Sequence, residues 1–259
     1  MPFPARQRLD HLLVQRGLVP SRQQAQALIL AGKVRVEGQP VSKAGQQIAV
    51  DAELAVAQPE HSYASRGGIK LAEALERFDL EVGDWVCLDV GASTGGWTDC
   101  LLQKGARKVF AVDVGYGQLA WKLRQDPRVE VIERSNIRYL TASHIPQPVD
   151  LAVIDVSFIS LKIVVPATLR FLKPTGRLVV LIKPQFEVGK GQVGKGGIVK
   201  APDQHHQVTE NLKEFFRDIG LRCPTVIPSP IQGAKGNREF LALLEIQSPP
   251  LPLPPEFPT

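Results

Sequence analysis

The chain alternates strand-like apolar runs with helical stretches over most of its length. These runs span residues 86–90, 109–113, 129–133, 151–156, 178–183, 224–227 and 240–246. Because alternating β and α units pack as a sheet covered by helices, the pattern predicts an α/β domain with a parallel, doubly wound sheet. The last two runs are joined across residues 228–238 without a helical pattern, which predicts an antiparallel final strand.

Two short helices and a hairpin are predicted ahead of this alternation. Leucines at helical spacing between residues 9 and 13 indicate one helix, which stops at Gly17. Ser21 is positioned as the N-cap of a second helix, which ends at Gly32. The segment KVRVEGQPV then alternates valines around a turn, so the first fifty residues predict an α-α-β unit.

The positive charge of the chain is concentrated in this first unit. The formal net charge is +5, and residues 1–50 account for all of it. Their cations are Arg6, Arg8, Arg16, Arg22, Lys33, Arg35 and Lys43, against the two carboxylates Asp10 and Glu37. A basic head on a neutral body is typical of a nucleic-acid-binding module, because cations near the backbone release condensed counterions. An ordinary solvated surface is the alternative.

Composition excludes several other classes of protein. The chain has 259 residues, 44% of them hydrophobic, which is enough for one large domain and one small one. No apolar run approaches the ~18 residues that cross a bilayer. We therefore predict a soluble cytoplasmic protein without membrane contact. The three cysteines are widely spaced and the histidines lack partners at ligand spacing, so we predict free thiols and no metal.

A glycine-rich turn carries the strongest local signal for a cofactor. The stretch CLDVGASTGGWTD places Gly91, Gly95 and Gly96 between a buried strand and a helix. This spacing departs from G-x-G-x-x-G, and a glycine-rich turn alone is weak evidence because dinucleotide enzymes use one too. Asp113 ends the next strand, where it could grip ribose hydroxyls, and Asn136 follows the third strand, where it could meet an adenine edge.

Four further polar residues lie near strand ends or, in one case, in the helix before the first strand. They are Lys70, Asp155, Lys183 and Glu239. Lys183 ends the apolar run LVVLI, so its ammonium should emerge at the rim where open α/β sheets bind ligands. Burial and a second nearby cation would favour the neutral amine, which can accept a proton.

These motifs carry a family resemblance. R-L-D-x-L-L, S-R-x-x-A-x-x-L-I and G-x-V-x-V-x-G resemble the S4 RNA-binding domain over roughly residues 6–55. The glycine turn and the acids after it resemble the S-adenosylmethionine pocket of class I methyltransferases, a Rossmann-like fold. The four polar residues resemble the Lys-Asp-Lys-Glu tetrad of FtsJ-type ribose 2′-O-methyltransferases. The blocks YASRGGIK, DVGASTGGWTD, VDVGYGQL and KPQFE together resemble the TlyA family over about residues 6–246.

The resemblance implies a domain plan and a set of site residues. We expect an S4 domain at 1–57, a linker at 58–65, an FtsJ-like methyltransferase domain at 66–247 and a proline-rich disordered tail at 248–259. The implied RNA-binding residues are Arg6, Arg8, Arg22, Lys33, Arg35 and Arg66. The implied cofactor residues are Asp89, Gly91, Ser93, Gly95, Gly96, Trp97, Asp113 and Asn136. The implied catalytic residues are Lys70, Asp155, Lys183 and Glu239, with Lys183 as base or steering group, Lys70 as its tuning neighbour and the two carboxylates orienting them.

The implied reaction is 2′-O-methylation of cytidine in ribosomal RNA by S-adenosylmethionine. The expected partners are ribosomal subunits, and the chain is expected to be a monomer or weak dimer. The segment DVSF after the fourth strand lacks the prolines of nitrogen methyltransferases and the cysteine of carbon-5 methyltransferases. The loop that contains Lys190, Lys195 and Lys200 is expected to form a mobile basic flap, with a floppy surface loop as the alternative.

Two alternatives from other classes stay open. The family also carries a haemolysin label, which suggests a membrane-lytic protein. We expect Phe171 and Leu172 to lie in a core helix and not on a membrane face. The second alternative is a catalytically inactive S4 adaptor that only binds ribosomes. Liposome leakage without cofactor would favour the first, and RNA binding without methyl transfer would favour the second.

Overall fold

The chain divides into two compact units, residues 1–62 and 63–259. The structure is a computed structural model that describes residues 5–19, 21–57, 62–189, 193–194 and 196–247. Residues 58–61 of the expected linker, Lys190 and Lys195 of the expected flap, and the tail at 248–259 lie outside the described residues. The domain boundaries stay predictions, although Tyr63 and Ala64, inside the expected linker, already pack against the second unit's core.

The first unit combines two helices with very short strands. The helices are Leu9–Gln15 (α1) and Arg22–Leu30 (α2), and the strands are Arg6–Arg8 (β1), Val34–Val36 (β2), Gln39–Pro40 (β3), Gln47–Ala49 (β4) and Leu54–Val56 (β5). Strand β1 pairs with β4, and β2 lies between β3 and β5. The Oγ of Ser21 accepts a hydrogen bond from the Gln24 amide at 3.2 Å, which confirms the predicted N-cap. The α-α-β prediction omitted β1, β4 and β5.

The second unit is a seven-stranded sheet with helices on its faces. Its strands are Val86–Val90 (β6), Lys108–Val112 (β7), Val129–Ile132 (β8), Val149–Ile154 (β9), Leu172–Ile182 (β10), Leu221–Pro228 (β11) and Phe240–Ile246 (β12). Its helices are Gly67–Arg77 (α3), Gly96–Gln103 (α4), Trp121–Arg124 (α5), Leu161–Leu169 (α6), Pro184–Glu187 (α7) and Pro202–Asp218 (α8). Single 3-10 turns lie at Ile137–Tyr139 and Ala234–Gly236.

The strand order is β11-β12-β10-β9-β6-β7-β8. Strands β8, β7, β6, β9 and β10 are parallel, whereas β12 is antiparallel to both of its neighbours, as predicted for the final strand. The expected α/β class with a methyltransferase-type sheet and an N-terminal S4-like unit is therefore confirmed.

Two apolar cores cover the sheet. Successive residues of β6 alternate between them: Leu88 packs with Phe110 on one face, and Cys87 packs with Leu101 on the other. Because both faces are buried, the parallel strands consist of nearly unbroken apolar residues. Most polar groups of the site therefore lie in the loops at the carboxyl edge of the sheet, where open α/β folds bind ligands.

The prediction that Phe171 and Leu172 lie in a core helix is wrong. Helix α6 ends at Leu169, and Leu172 begins the eleven-residue strand β10. Both side chains are buried, at 5% and 9% exposure, so the prediction of a core position was correct. In the sequence, Pro174 and Gly176 interrupt the apolar residues, so the start of this strand is not apparent. In the structure the strand continues through both residues, with a shift of register between Leu172 and Arg177.

Candidate active site

The glycine-rich turn between β6 and α4 is tightly packed. Gly91 has φ +90°, and a Cβ added there would lie 2.4 Å from the carbonyl oxygen of Asp155. Only glycine therefore allows the ends of β6 and β9 to approach this closely. Gly95 caps α4 in the left-handed conformation and has no side chain to bond the helix, so the positive dipole end stays available for a ligand. Of the first amides, that of Thr98 is already bound by the Asp89 carboxylate.

A cavity of about 270 Å³ opens beside this turn. It is lined by Ser65, Arg66, Gly67, Lys70, Gly91, Ala92, Ser93, Thr94, Gly96, Trp97 and Asp155. Four of the predicted cofactor residues, two of the predicted catalytic residues and one of the predicted RNA-binding residues therefore share one cavity. The remaining predicted cofactor residues, Asp89, Gly95, Asp113 and Asn136, do not line it. Asp89, Gly95 and Asp113 contact or adjoin segments that do, whereas Asn136 hydrogen-bonds to the 3-10 turn that follows it.

Asp113 connects the end of β7 to the glycine-rich turn. Its Oδ2 accepts the Ser93 amide at 2.7 Å, and its Oδ1 accepts the Gly115 amide at 2.6 Å. Each carboxylate oxygen keeps a second lone pair for a ligand hydroxyl. Asn136 uses its Oδ1 to cap the 3-10 turn after β8, where it accepts the Arg138 amide at 3.1 Å.

Asp89 is completely buried beneath the turn. Its Oδ2 accepts a hydrogen bond from the Thr98 hydroxyl at 2.6 Å. Its Oδ1 has no hydrogen-bond partner within the described part of the chain. Burial raises the pKa of Asp89 to about 7, and the negative charges of Asp155 and Asp113 add to the effect of burial. Asp89 thus supports the turn from below and does not face the cavity.

Trp97 supplies a second buried polar atom without a partner. Its side chain lines the cavity at 3% exposure, and its indole Nε1 has no acceptor among the described residues. A buried donor of this kind normally finds an acceptor, so the atom is suited to a ligand oxygen. The uncapped helix, the indole N–H and the Asp113 carboxylate together fit a ligand with a carboxylate and a ribose.

The four predicted catalytic residues form two ion pairs. Nζ of Lys70 lies 2.5 Å from Oε2 of Glu239, and Nζ of Lys183 lies 2.6 Å from Oδ1 of Asp155. The first pair is buried, whereas the side chains of Lys183 and Asp155 are 11% and 22% exposed.

The sheet brings the two pairs to the same edge. Strand β10 runs parallel to β9, and Ile182, its last residue, pairs with Phe240, the first residue of the antiparallel strand β12. Lys183, which follows β10, and Glu239, which precedes β12, therefore both lie just beyond this last registered pair. Gly233 closes over Glu239, because a Cβ at this position would lie 1.9 Å from Oε1 of the carboxylate.

Sequence reasoning missed several residues around Lys183. Ser157 accepts a hydrogen bond from Nζ of Lys183 at 3.0 Å. Glu187 accepts hydrogen bonds from the Ser160 hydroxyl at 2.6 Å and from the Leu161 amide at 2.8 Å. It thereby joins the short helix after Lys183 to the loop after Asp155. Ser157 lies in the segment DVSF and Glu187 in KPQFE, but no periodic pattern in the sequence distinguishes the roles of these two residues.

The predicted RNA-binding residues fall into both units. Arg6, Arg22, Lys33 and Arg35 are exposed on the first unit, and Arg8 is partly buried there. Arg8 and Arg22 converge on the carboxylate of Asp10. Arg66 belongs to the second unit, where it precedes α3 and lines the cavity.

Two negative findings complete the site. None of the helices in the described ranges is long and apolar enough to cross a membrane. No cluster of three or more histidine, cysteine, aspartate or glutamate side chains suited to a metal occurs in the part of the chain that the structure describes.

Sheet order, glycine-rich turn and cavity define a class I methyltransferase preceded by a small S4-like unit. Comparison with family profiles agrees: residues 63–246 match the FtsJ-like methyltransferase family and residues 7–54 match the S4 domain. The chain belongs to the TlyA family, which joins these two domains.

Individual relatives are similar over most of their length. The 16S/23S rRNA (cytidine-2′-O)-methyltransferase TlyA of Mycobacterium tuberculosis is 48% identical, across 94% of this chain and 91% of the relative. Hemolysin A of Brachyspira hyodysenteriae is 41% identical, across 91% and 98%. A solved structure from Streptococcus thermophilus that carries the hemolysin name is 44% identical, with a TM-score of 0.74 across 95% and 90%.

Proposed function

We propose that this chain transfers a methyl group from S-adenosylmethionine to the 2′-hydroxyl of a cytidine in ribosomal RNA. The observation that carries the proposal is the position of two ion pairs, Lys70–Glu239 and Lys183–Asp155. Both lie at the same sheet edge as the cavity beside the glycine-rich turn. The rRNA methyltransferase names of the relatives support the substrate class.

The cavity residues fit S-adenosylmethionine, whose sulfonium supplies the methyl group when the cofactor is bound. The N-terminal end of α4 and the indole N–H of Trp97 would hold the carboxylate of its amino-acid part. Asp113, fixed by two backbone amides, would accept hydrogen bonds from its ribose hydroxyls. Asn136 follows the neighbouring strand and would contact the adenine.

Lys183 and Asp155 act on the substrate hydroxyl in this proposal. A 2′-hydroxyl is a weak nucleophile at neutral pH and must be oriented and deprotonated. In the ion-paired state the Lys183 ammonium donates hydrogen bonds, so it steers the hydroxyl oxygen. To act as the base, Lys183 must first release a proton, and the Asp155 carboxylate 2.6 Å away is within reach to take it. Lys70, whose charge is balanced by the Glu239 carboxylate in an ion pair, is the second cationic side chain of the site.

The S4-like unit binds RNA in this proposal, through Arg6, Arg8, Arg22, Lys33 and Arg35. Arg66 adds an exposed cation on the catalytic unit. Arg66 also lines the cavity, so it is placed to contact the RNA backbone near the reacting ribose. These residues are cationic and mostly exposed, as phosphate contacts require.

The decisive experiment is transfer of labelled methyl from S-adenosylmethionine to purified, unmodified small and large ribosomal subunits. Wild type is compared with Lys183→Ala and with Lys104→Ala, which removes an exposed lysine elsewhere in the same unit. We expect label in 2′-O-methylcytidine with wild type and Lys104→Ala, and its loss with Lys183→Ala. RNA binding without transfer by the wild type would instead favour the adaptor.

A further inference from the structure

One buried carboxylate organises the basic surface of the first unit. Asp10 is 0% exposed, yet it accepts five hydrogen bonds. Arg8 donates from Nε at 3.0 Å and from Nη2 at 2.9 Å, and Arg22 donates from Nε at 2.9 Å. Gln26 donates at 2.8 Å, and the amide of His11 at 3.1 Å.

The two arginines keep part of their guanidinium groups at the surface. Their side chains are 40% and 53% exposed, while the carboxylate between them is buried. Arg22 uses only Nε for Asp10, so its two terminal nitrogens are not required for the ion pair. Arg8 uses Nε and Nη2, which leaves Nη1 outside the pair. The hydrogen bonds of Arg8 hold the pKa of Asp10 well below its usual range, so the carboxylate is ionised at neutral pH.

Arg8 is also fixed from its other side. A Cβ added to Gly45 would lie 2.9 Å from Nη1 of Arg8, so the guanidinium packs directly on the backbone of this loop. The same loop accepts the amide of Asp10 at the Ala44 carbonyl, at 3.1 Å. The Arg8 guanidinium is therefore held in one place by the carboxylate and by the loop.

We propose that Asp10 is a positioning residue, which holds Arg8 and Arg22 as a paired guanidinium fork for one phosphate group of the RNA. The inference rests on the proposed function and deepens it, because it assigns the ligand chemistry of one part of the S4-like surface. Planar guanidinium groups bind phosphate oxygens in fixed, often bidentate geometry, and preorganised forks lose less conformational entropy on binding.

The proposal predicts an effect opposite to that of simple charge. Asp10→Asn removes a negative charge next to the phosphate, so Coulomb attraction alone would tighten RNA binding. Loss of the positioned fork would weaken it, despite the higher net charge. Asp51→Asn is the matched control, because Asp51 is an exposed carboxylate of the same unit and its loss changes the net charge equally.

Gly45→Ala provides a second variant that changes no charge. No positive φ marks Gly45, so alanine is compatible with its backbone, and the added methyl displaces only the flexible end of Arg8. This variant should fold and still lose the fork. If Asp10→Asn proves too unstable to measure, Gly45→Ala alone tests whether the fork binds phosphate.

The test uses the full chain and purified, unmodified large and small ribosomal subunits. Subunit affinity is measured across a series of KCl concentrations, together with KM and kcat for methyl transfer. For Asp10→Asn and Gly45→Ala we expect affinity about fivefold weaker or more, a salt slope smaller by roughly 0.7–0.9 for each lost phosphate contact, and a change in KM rather than kcat. Circular dichroism checks that each variant is folded.

The proposal is overturned if folded Asp10→Asn binds as tightly as Asp51→Asn or more tightly, or if folded Gly45→Ala binds like wild type with an unchanged salt slope. Failure of the proposed function gives a different result, because the wild type itself would then methylate neither subunit. A wild type that methylates subunits normally while both variants retain their KM would leave the proposed function intact and refute the fork.

Discussion

Nζ of Lys183 lies 2.6 Å from Oδ1 of Asp155 in an ion pair that remains partly open to solvent. The companion pair of Lys70 and Glu239 is as close, at 2.5 Å, but its side chains are only 9% and 3% exposed. In the open pair, Lys183 can exchange Asp155 for a substrate hydroxyl. In the buried pair the same exchange would cost more free energy, because each buried charge needs the other as its counter-charge.

Breaking the buried pair should therefore reduce stability as well as activity. We expect Lys70→Met to cost about 3–5 kcal/mol, because it leaves the Glu239 carboxylate buried without a counter-charge. For a domain of this size that corresponds to an unfolding midpoint lower by roughly 6–20 °C. Trp85, Trp97 and Trp121 all lie in the second unit, so tryptophan fluorescence during heating reports on this unit alone.

The double variant Lys70→Met/Glu239→Gln is the control for that explanation. Removing both charges should recover part of the lost midpoint, whereas methyl transfer should stay absent. A double variant no more stable than Lys70→Met would show that the loss comes from packing and not from the unpaired carboxylate.

The sheet was largely predictable from sequence because its strands are buried on both faces. Two of the seven predicted runs, 86–90 and 240–246, match β6 and β12 residue for residue. The antiparallel direction of the last strand also followed from its short connection. Strands β1, β4 and β5 have only three residues each, which is too few for an alternation to be distinguished from a loop.

The site was predictable only as a set of residues. Motif order placed Lys70, Asp155, Lys183 and Glu239 at strand ends or in the preceding helix, but the partner of each cation depends on the register of β10 and β12. Arg8 and Arg22 were expected on the surface as independent cations. Their convergence on buried Asp10 depends on how the start of α1 packs against α2, which sequence periodicity does not encode.

Gly91→Ala should damage cofactor binding. Alanine at φ +90° is strained, and its Cβ would lie 2.4 Å from the Asp155 carbonyl, so the turn or β9 must shift. We expect affinity for S-adenosylmethionine to fall at least about tenfold by calorimetric titration. Gly117→Ala is the matched control, since Gly117 has φ +71° but no atom within 4 Å of an added Cβ. Equal losses in the two variants would point to backbone strain alone.

Asp89 predicts a specific dependence of stability on pH. Burial raises its pKa from 3.8 to about 7, so between these values the folded chain binds a proton that the unfolded chain releases. Stability contributed by this group is therefore present below about pH 4 and is lost as pH rises toward 7.

Replacing the carboxylate should remove that dependence. From pH 5 to pH 8 the wild type should lose about 2 kcal/mol of unfolding free energy relative to Asp89→Asn, measured by urea denaturation with tryptophan fluorescence. Groups common to both proteins cancel in this difference. Parallel pH profiles would mean that the pKa of Asp89 is not raised.

Glu187→Gln should slow catalysis while leaving the cofactor site intact. Glu187 uses separate oxygens for the Ser160 hydroxyl and the Leu161 amide, and burial raises its pKa. A glutamine side chain can accept the Leu161 amide with its oxygen but can offer the Ser160 hydroxyl only an N–H donor. Both charge-assisted hydrogen bonds are therefore replaced by weaker neutral ones, and the loop after Asp155 is held less firmly to the short helix after Lys183. A small displacement of the Lys183–Asp155 ion pair is enough to lower kcat. We expect kcat to fall about tenfold.

The measurement is single-turnover methyl transfer at saturating ribosomal subunits, beside calorimetric titration with S-adenosylmethionine. Glu210→Gln, an exposed carboxylate on α8, is the control that changes the same functional group without joining two loops. Cofactor affinity should stay near the wild-type value in both variants. A Glu187→Gln variant with normal kcat would show that the two loops hold Lys183 and Asp155 together without this carboxylate; weakened cofactor affinity would place its effect in the glycine-rich turn instead.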